Sequence, residues 1–244
     1  MNVDVKGPKI LFEIPVLGGI PVTETIVNMW IIMAVIVALC IWLSHGLKIR
    51  PDSKKQIVAE KIVSMLYSLV ENTMGKHNLH FAPYIGALFT MSIFGSLSSL
   101  VGMRPYTADL SVTLAWALVT FMMVQTLTVK NRGIGGWLKG FVEPVPFLLP
   151  LNIVGEIANP ISMSFRHFGN IAAGMVITSL LYGALAGLSA VLLGLISQAL
   201  ASVPIFQLGL PALLSVYFDL FTSFLQAYII SMLTMVYVAG ANEQ

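Results

Sequence analysis

Four polar side chains interrupt membrane-grade sequence at spacings that could move an ion. Arg166 and Asn170 are four residues apart, and Asp219 and Gln226 are seven apart, so on two helices each pair shares one face. If those faces oppose one another, a guanidinium, two amides and a carboxylate meet inside the membrane. That set equips an ion path and not a hydrolytic site. No charged residue occurs from Phe168 to Phe218, and an arginine at the centre of a lipid-embedded helix costs about 2.5–3.5 kcal/mol on insertion scales. Arg166 is therefore expected to face protein or water and to act there. The plain alternative is a static Arg166–Asp219 pair that only ties two helices together.

Other residues with chemical capacity weigh less. His167 adjoins Arg166 but points about 100° away round a helix, which suits a packing or interfacial role. His77 and His80 flank Asn78 in a linker, and no cysteine or second acidic ligand is spaced to complete a metal site there. No metal and no cofactor are expected. The chain has one cysteine, Cys40, inside an apolar run, so it forms no internal disulfide and is read as packing. Gly183, Gly187 and Gly194 would allow close helix approach. A phosphate-cradling Gly-Lys motif and a nucleophile elbow are both lacking, so catalysis by this chain alone is not expected.

The elements that must position the four polar residues follow from composition. Of 244 residues, 57% are hydrophobic and only 10% charged, against about 25% charged in soluble domains, and the mean hydropathy is +0.88. The class is an all-α polytopic membrane protein of about five spanning helices plus one interfacial amphipathic helix, the last two spans long, tilted and hairpin-like. A net charge of +2 is too small to imply nucleic acid, and the basic residues serve orientation instead.

Residues 1–24 mix Asp4, Lys6, Lys9, Glu13 and Glu24 with Pro8, Pro15, Pro21 and Gly18-Gly19. No signal-peptide core is evident, and this outer arm is expected to lack regular structure. Residues 25–244 form a single integral domain. Its first span is Ile26–Leu43. Lys48, Arg50, Lys54, Lys55 and Lys61 follow and mark the cytoplasmic side, which puts the amino terminus outside. Val58, Ile62, Met65 and Leu69 recur at helical spacing, so residues 53–74 read as an amphipathic helix at the interface, with Ser53 and Gln56 as its capping box. Residues 81–129 form a hairpin of two spans, Phe81–Gly102 and Leu110–Val129, joined by a short outer turn with Pro105. A loop with Lys130, Arg132 and Lys139 among glycines returns to the cytoplasm.

Residues 151–238 are expected to be the long tilted hairpin that carries the ion path. Its first arm starts near Leu151 and passes Pro160 and Arg166 to about Tyr182, too long for one perpendicular crossing. Beyond it no Lys or Arg remains to orient the chain, and residues 183–203 stay open between a separate span and one arm of the hairpin. Ala212–Val238 is the final helix, carrying Asp219 and Gln226 and ending in the cytoplasm.

The stretch PLNIVGEIANPISMSFRHFGNIAAG, Pro150 to Gly174, closely resembles the signature of the a subunit (subunit 6 type) of F-type ATP synthases, with its Arg-x-x-Gly-Asn-x-x-Ala-Gly core. FLQAYIISMLTMVY, Phe224 to Tyr237, is similar to that family's last helix, and Gly102, Pro105 and Thr107 to its first hairpin turn. The resemblance covers about Pro83 to Val238. It implies a non-catalytic, ion-translocating stator that lies beside a ring of small hairpin c-type subunits, with peripheral-stalk b-type subunits and membrane lipid as further partners and no nucleic acid. The family setting is an integral bacterial-type plasma membrane, and the transported ion is H⁺ or Na⁺.

By that resemblance Arg166 matches the essential arginine between two offset half-channels, and Asn170 and Gln226 match positions associated with it and with the access path. Ser162 and Glu156 match the cytoplasmic half-channel and its entrance. Two departures stand out. Nine positions after the arginine the family often has a carboxylate or histidine, and this chain has Met175. Seven before the matching glutamine it often has His or Glu, and here stands Asp219, so a single carboxylate is expected to serve the outer path. An independent membrane channel or carrier with an Arg–Asp gate is the competing class; it would show inverted repeats or paired broken helices, and the sequence has neither.

Overall fold

The computed structural model describes residues 7–15, 19–49, 53–195, 206 and 216–242, without the side chains of Ile20, Val216, Phe218 and Asp219. The architecture is an all-α polytopic membrane fold with one small β-hairpin, and five of its helical elements are long and apolar enough to cross a membrane.

The amino-terminal arm departs from expectation. It folds as an antiparallel hairpin, β1 (Ile10–Ile14) against β2 (Ile20–Thr23), with Phe12 opposite Val22 and Ile14 opposite Ile20. The apolar and β-branched residues on both sides of the Gly-rich centre favour paired strands. Their signal was masked by the scatter of charges and prolines. Glu24 N–H donates to the Lys9 carbonyl at 2.8 Å, so the hairpin runs straight into α1 (Glu24–Ser44).

α2 (Lys54–Met74) begins as its sequence suggests, with Ser53 Oγ accepting from Gln56 N–H at 3.2 Å. Only this half of the capping box forms. The Gln56 amide turns instead to the Lys48 carbonyl and the Glu60 carboxylate, tying α2 to the end of α1. Val58, Ile62 and Met65 lie exposed, an apolar stripe suited to lipid, while Val70 and Met74 pack against Met235, Val238 and Ala239.

α3 (Ala82–Leu97) and α4 (Leu110–Val142) form the expected hairpin. Their connecting turn is held by Tyr106, which is fully buried and donates to the Met91 carbonyl at 2.6 Å; burial raises its hydroxyl above the usual tyrosine range, so it stays a donor. Its ring occupies the space where a side chain at Gly95 would begin. The expected cytoplasmic loop is in fact helical. α4 runs through Lys130 and breaks only at Gly133, whose φ of 72° suits a residue without Cβ, and helix resumes to Val142.

α5 spans Leu149–Gly194. At 46 residues it is about 69 Å long, more than twice the roughly 30 Å hydrocarbon core. The region 183–194 that sequence left open continues this helix, and residues 196–203 lie outside the described ones. A π-helical turn, Val216–Phe221, leads into α6 (Thr222–Asn242). α6 packs against α2, α3, α4 and α5; half of its apolar window is buried, against 6% for the stretch containing α5. α6 is thus the central post and α5 the outer face.

The core is unusually rich in hydroxyls. Thr113 meets Ser164 at 3.1 Å, Ser96 meets Thr107 at 3.0 Å, and Tyr84 meets Thr120 at 3.4 Å. In lipid, helices gain little from burying apolar surface against each other, so small hydroxyl residues and cross-helix hydrogen bonds carry their association.

Candidate functional site

Pro160 lies inside α5 and has no N–H, so the Glu156 carbonyl one turn earlier loses its helical partner. Such a carbonyl is tolerated where it borders a cavity. A cavity of about 540 Å³ does lie here, bordered by Gln125, Arg132, Asn152, Glu156, Asn159 and Pro160 among others. It opens at the end of the bundle that carries Lys130 and Arg132, where Asn131 donates to the Ala241 carbonyl at 3.2 Å. At its wall Gln125 Nε2 donates to Glu156 Oε2 at 2.9 Å, so the sequence-derived entrance residue Glu156 is a cavity residue. The cavity reaches Met163, three residues short of Arg166.

Arg166 sits on the exposed side of α5, which also carries exposed Phe165 and Ile161. Among the described residues no carboxylate lies within salt-bridge distance of it. Ser162, one turn earlier, is also exposed and does not line the cavity; it shares the outward face of Arg166. A guanidinium on an apolar outer surface would be costly against lipid.

On the other side of Arg166 along α5, the Asn170 amide donates to Gln226 Oε1 at 2.7 Å. Gln226 is 1% exposed, and this bond joins α5 to α6 as the opposed-face reading expected. Asp219 falls in the π-helical turn, so the seven-residue spacing to Gln226 does not cross a uniform α-helix; its side chain is outside the described residues. Met175 is exposed on α5.

His167 points inward, as its position suggests. It is fully buried, with Nε2 3.5 Å from Ser92 Oγ and its ring edge-on to Trp116 at 5.9 Å. His80 Nδ1 lies 3.2 Å from the His77 carbonyl, a local turn contact. No group of three or more metal-ligating side chains occurs among the described residues.

Trp137 was missed in the sequence: its indole N–H donates to Gln125 Oε1 at 2.7 Å. Gln125 offered a signal, being the only amide in Leu110–Val129. Trp137 offered none, because its approach depends on the fold-back at Gly133.

The structure thus sets a charged residue on the exposed face of α5, a polar cavity that ends one turn from it, and an amide bridge to α6 one turn beyond it. The family model for ATP synthase A chain matches residues 26–239. The chain belongs to this family. Among similar curated proteins, "ATP synthase subunit a, sodium ion specific" of Propionigenium modestum is 31% identical, covering 97% of this chain and 86% of that protein. ATP synthase subunit a of Moorella thermoacetica is also 31% identical, over 93% of this chain and 94% of its own. ATP synthase subunit a 2 of a Bradyrhizobium strain is 32% identical over 95% and 93%. The chain is accordingly an integral membrane-sector subunit of an ATP synthase, a participant in ion transport and ATP synthesis that works with the other subunits of that complex.

Proposed function

We propose that this chain is the stator of the ion-driven motor: it supplies two offset half-channels to the carboxylates of a rotating ring of small hairpin subunits, and Arg166 separates them. The observation that carries this is the position of Arg166, exposed on α5 and unpaired among the described residues, with the polar cavity ending one turn away on one side. A ring carboxylate that comes within a few ångströms of a guanidinium is favoured in its charged form. It must therefore release its ion before passing and can take up another only after passing. In the membrane this separates release from uptake and prevents a direct leak.

The cavity bordered by Glu156 serves as the cytoplasmic half-channel, and Ser162 lies between it and the ring. Beyond the arginine, Asn170 and Gln226 border the outer path, with Asp219 as its carboxylate. The Lys- and Arg-bearing end of the bundle supports a cytoplasmic carboxyl terminus and an outer amino terminus in a bacterial plasma membrane, with b-type stalk subunits holding the chain still. The chain does not itself hydrolyse ATP. The coupling ion, H⁺ or Na⁺, is set largely by the ring.

Purification in mild detergent tests the arrangement. A ring of small hairpin subunits should accompany the chain, and a cysteine at Phe165 should cross-link to it in a Cys40→Ser background. Recovery of the chain in an otherwise complete complex with no cross-link from the outer face of α5 would contradict it.

A further inference from the structure

The polar cavity has a neighbour. A second cavity of about 530 Å³ is bordered by Leu138, Val142, Leu149, Ile153 and Ile157, and Phe121, Gln125, Trp137, Phe141 and Glu156 border both. The chain of hydrogen bonds from Trp137 through Gln125 to Glu156 is thus the partition between a polar and an apolar space. Its polarity has one reading. An indole N–H only donates, so the Gln125 oxygen must face Trp137 and its NH₂ must face the carboxylate. Oε2 of Glu156 is thereby held, while Oε1 has no hydrogen-bond partner among the described residues. The Trp137 ring is in turn fixed edge-on to Phe141 at 5.0 Å, on the helical segment that folds back after Gly133.

We propose that Gln125 and Trp137 are positioning residues that hold Glu156 with one oxygen tied to the partition and the other offered to the entering cation. This rests on the reading of the polar cavity as the cytoplasmic half-channel. Without the indole donor the Gln125 oxygen loses the partner that fixes the amide plane, so the NH₂ no longer holds Glu156 Oε2 in one position. The carboxylate then turns away and capture of the ion weakens, whereas the arginine and the outer path are untouched.

The test uses the whole complex in vesicles and measures the apparent KM for the coupling ion separately on each side, by Na⁺ titration or, if Na⁺ has no effect, by pH titration. Trp137→Phe keeps the ring and removes the donor. The expected result is a rise of about threefold to tenfold in the cytoplasmic-side KM, with kcat and the outer-side KM unchanged. Gln125→Leu should act alike, which guards against a folding defect peculiar to one variant. In a Glu156→Gln background Trp137→Phe should add nothing, since it acts through that carboxylate. An equal further rise in that background, or no rise from either single variant while Glu156→Gln alone raises the KM, overturns the proposal. A silent Glu156→Gln overturns the half-channel reading on which it stands.

Discussion

Arg166 and His167 are neighbours in the chain and opposites in the fold. The arginine lies on the exposed side of α5 with no ion-pair partner among the described residues; the histidine is fully buried against Ser92 and Trp116. Histidine is the side chain most often assigned to proton relays, yet here it fills the seam between α3, α4 and α5. The costly charge is presented outward. One residue of helical rotation, about 100°, therefore separates a side chain that holds the bundle together from one presented on its exposed surface.

The contrast is broken most severely by exchanging the two residues, Arg166→His with His167→Arg. An arginine at 167 would be buried without a carboxylate, a penalty of several kcal/mol, and the outer face would lose its permanent charge. The expected outcome is no assembled complex, read by blue-native electrophoresis. His167→Ala alone should cost about 2–4 kcal/mol through the cavity it leaves, seen as a lower melting temperature of the purified complex. The complexes that do assemble should still couple ion flow to synthesis. Coupling lost at full assembly would make His167 a path residue and not a packing one. Gly95→Ala drives a methyl into the Tyr106 ring, an overpacking expected to cost about 1–3 kcal/mol. Its measurable sign is easier proteolysis at the α3–α4 turn, without altered ion affinity. Gln226→Leu removes the acceptor of the Asn170 amide, which is itself exposed, and should destabilise the α5–α6 contact by about 0.5–1.5 kcal/mol, read as a lower melting temperature of the complex.

Most of this division could be read from residue order. The uncharged run from Phe168 to Phe218 marks Arg166, and of the four polar residues the structure joins Asn170 to Gln226 while Arg166 stays on the exposed face. The spans are legible because lipid demands long uncharged helices: five helices are long and apolar enough to cross, but the last runs Thr222–Asn242 behind a π-helical turn where Ala212–Val238 was expected, and residues 212–215 lie outside the described ones. Elements governed by local backbone geometry were not legible. The paired strands Ile10–Ile14 and Ile20–Thr23 were hidden by prolines and charges, the supposed loop after Val129 stays helical because Lys130 and Arg132 are good helix formers, and the break waits for Gly133. The Trp137–Gln125–Glu156 line depends on that break, so no spacing in the sequence announces it. For Asp219, the π-helical turn removes the uniform α-helix that its pairing with Gln226 assumed.

The central claim is that Arg166 is the barrier between two ion paths and not a structural ion-pair partner. ATP synthesis driven by an imposed ion gradient, measured in vesicles carrying the assembled Arg166→Ala complex, tests it most directly. The account predicts that synthesis is abolished while ATP hydrolysis by the soluble sector persists. Coupled synthesis at the wild-type rate in that variant would contradict it.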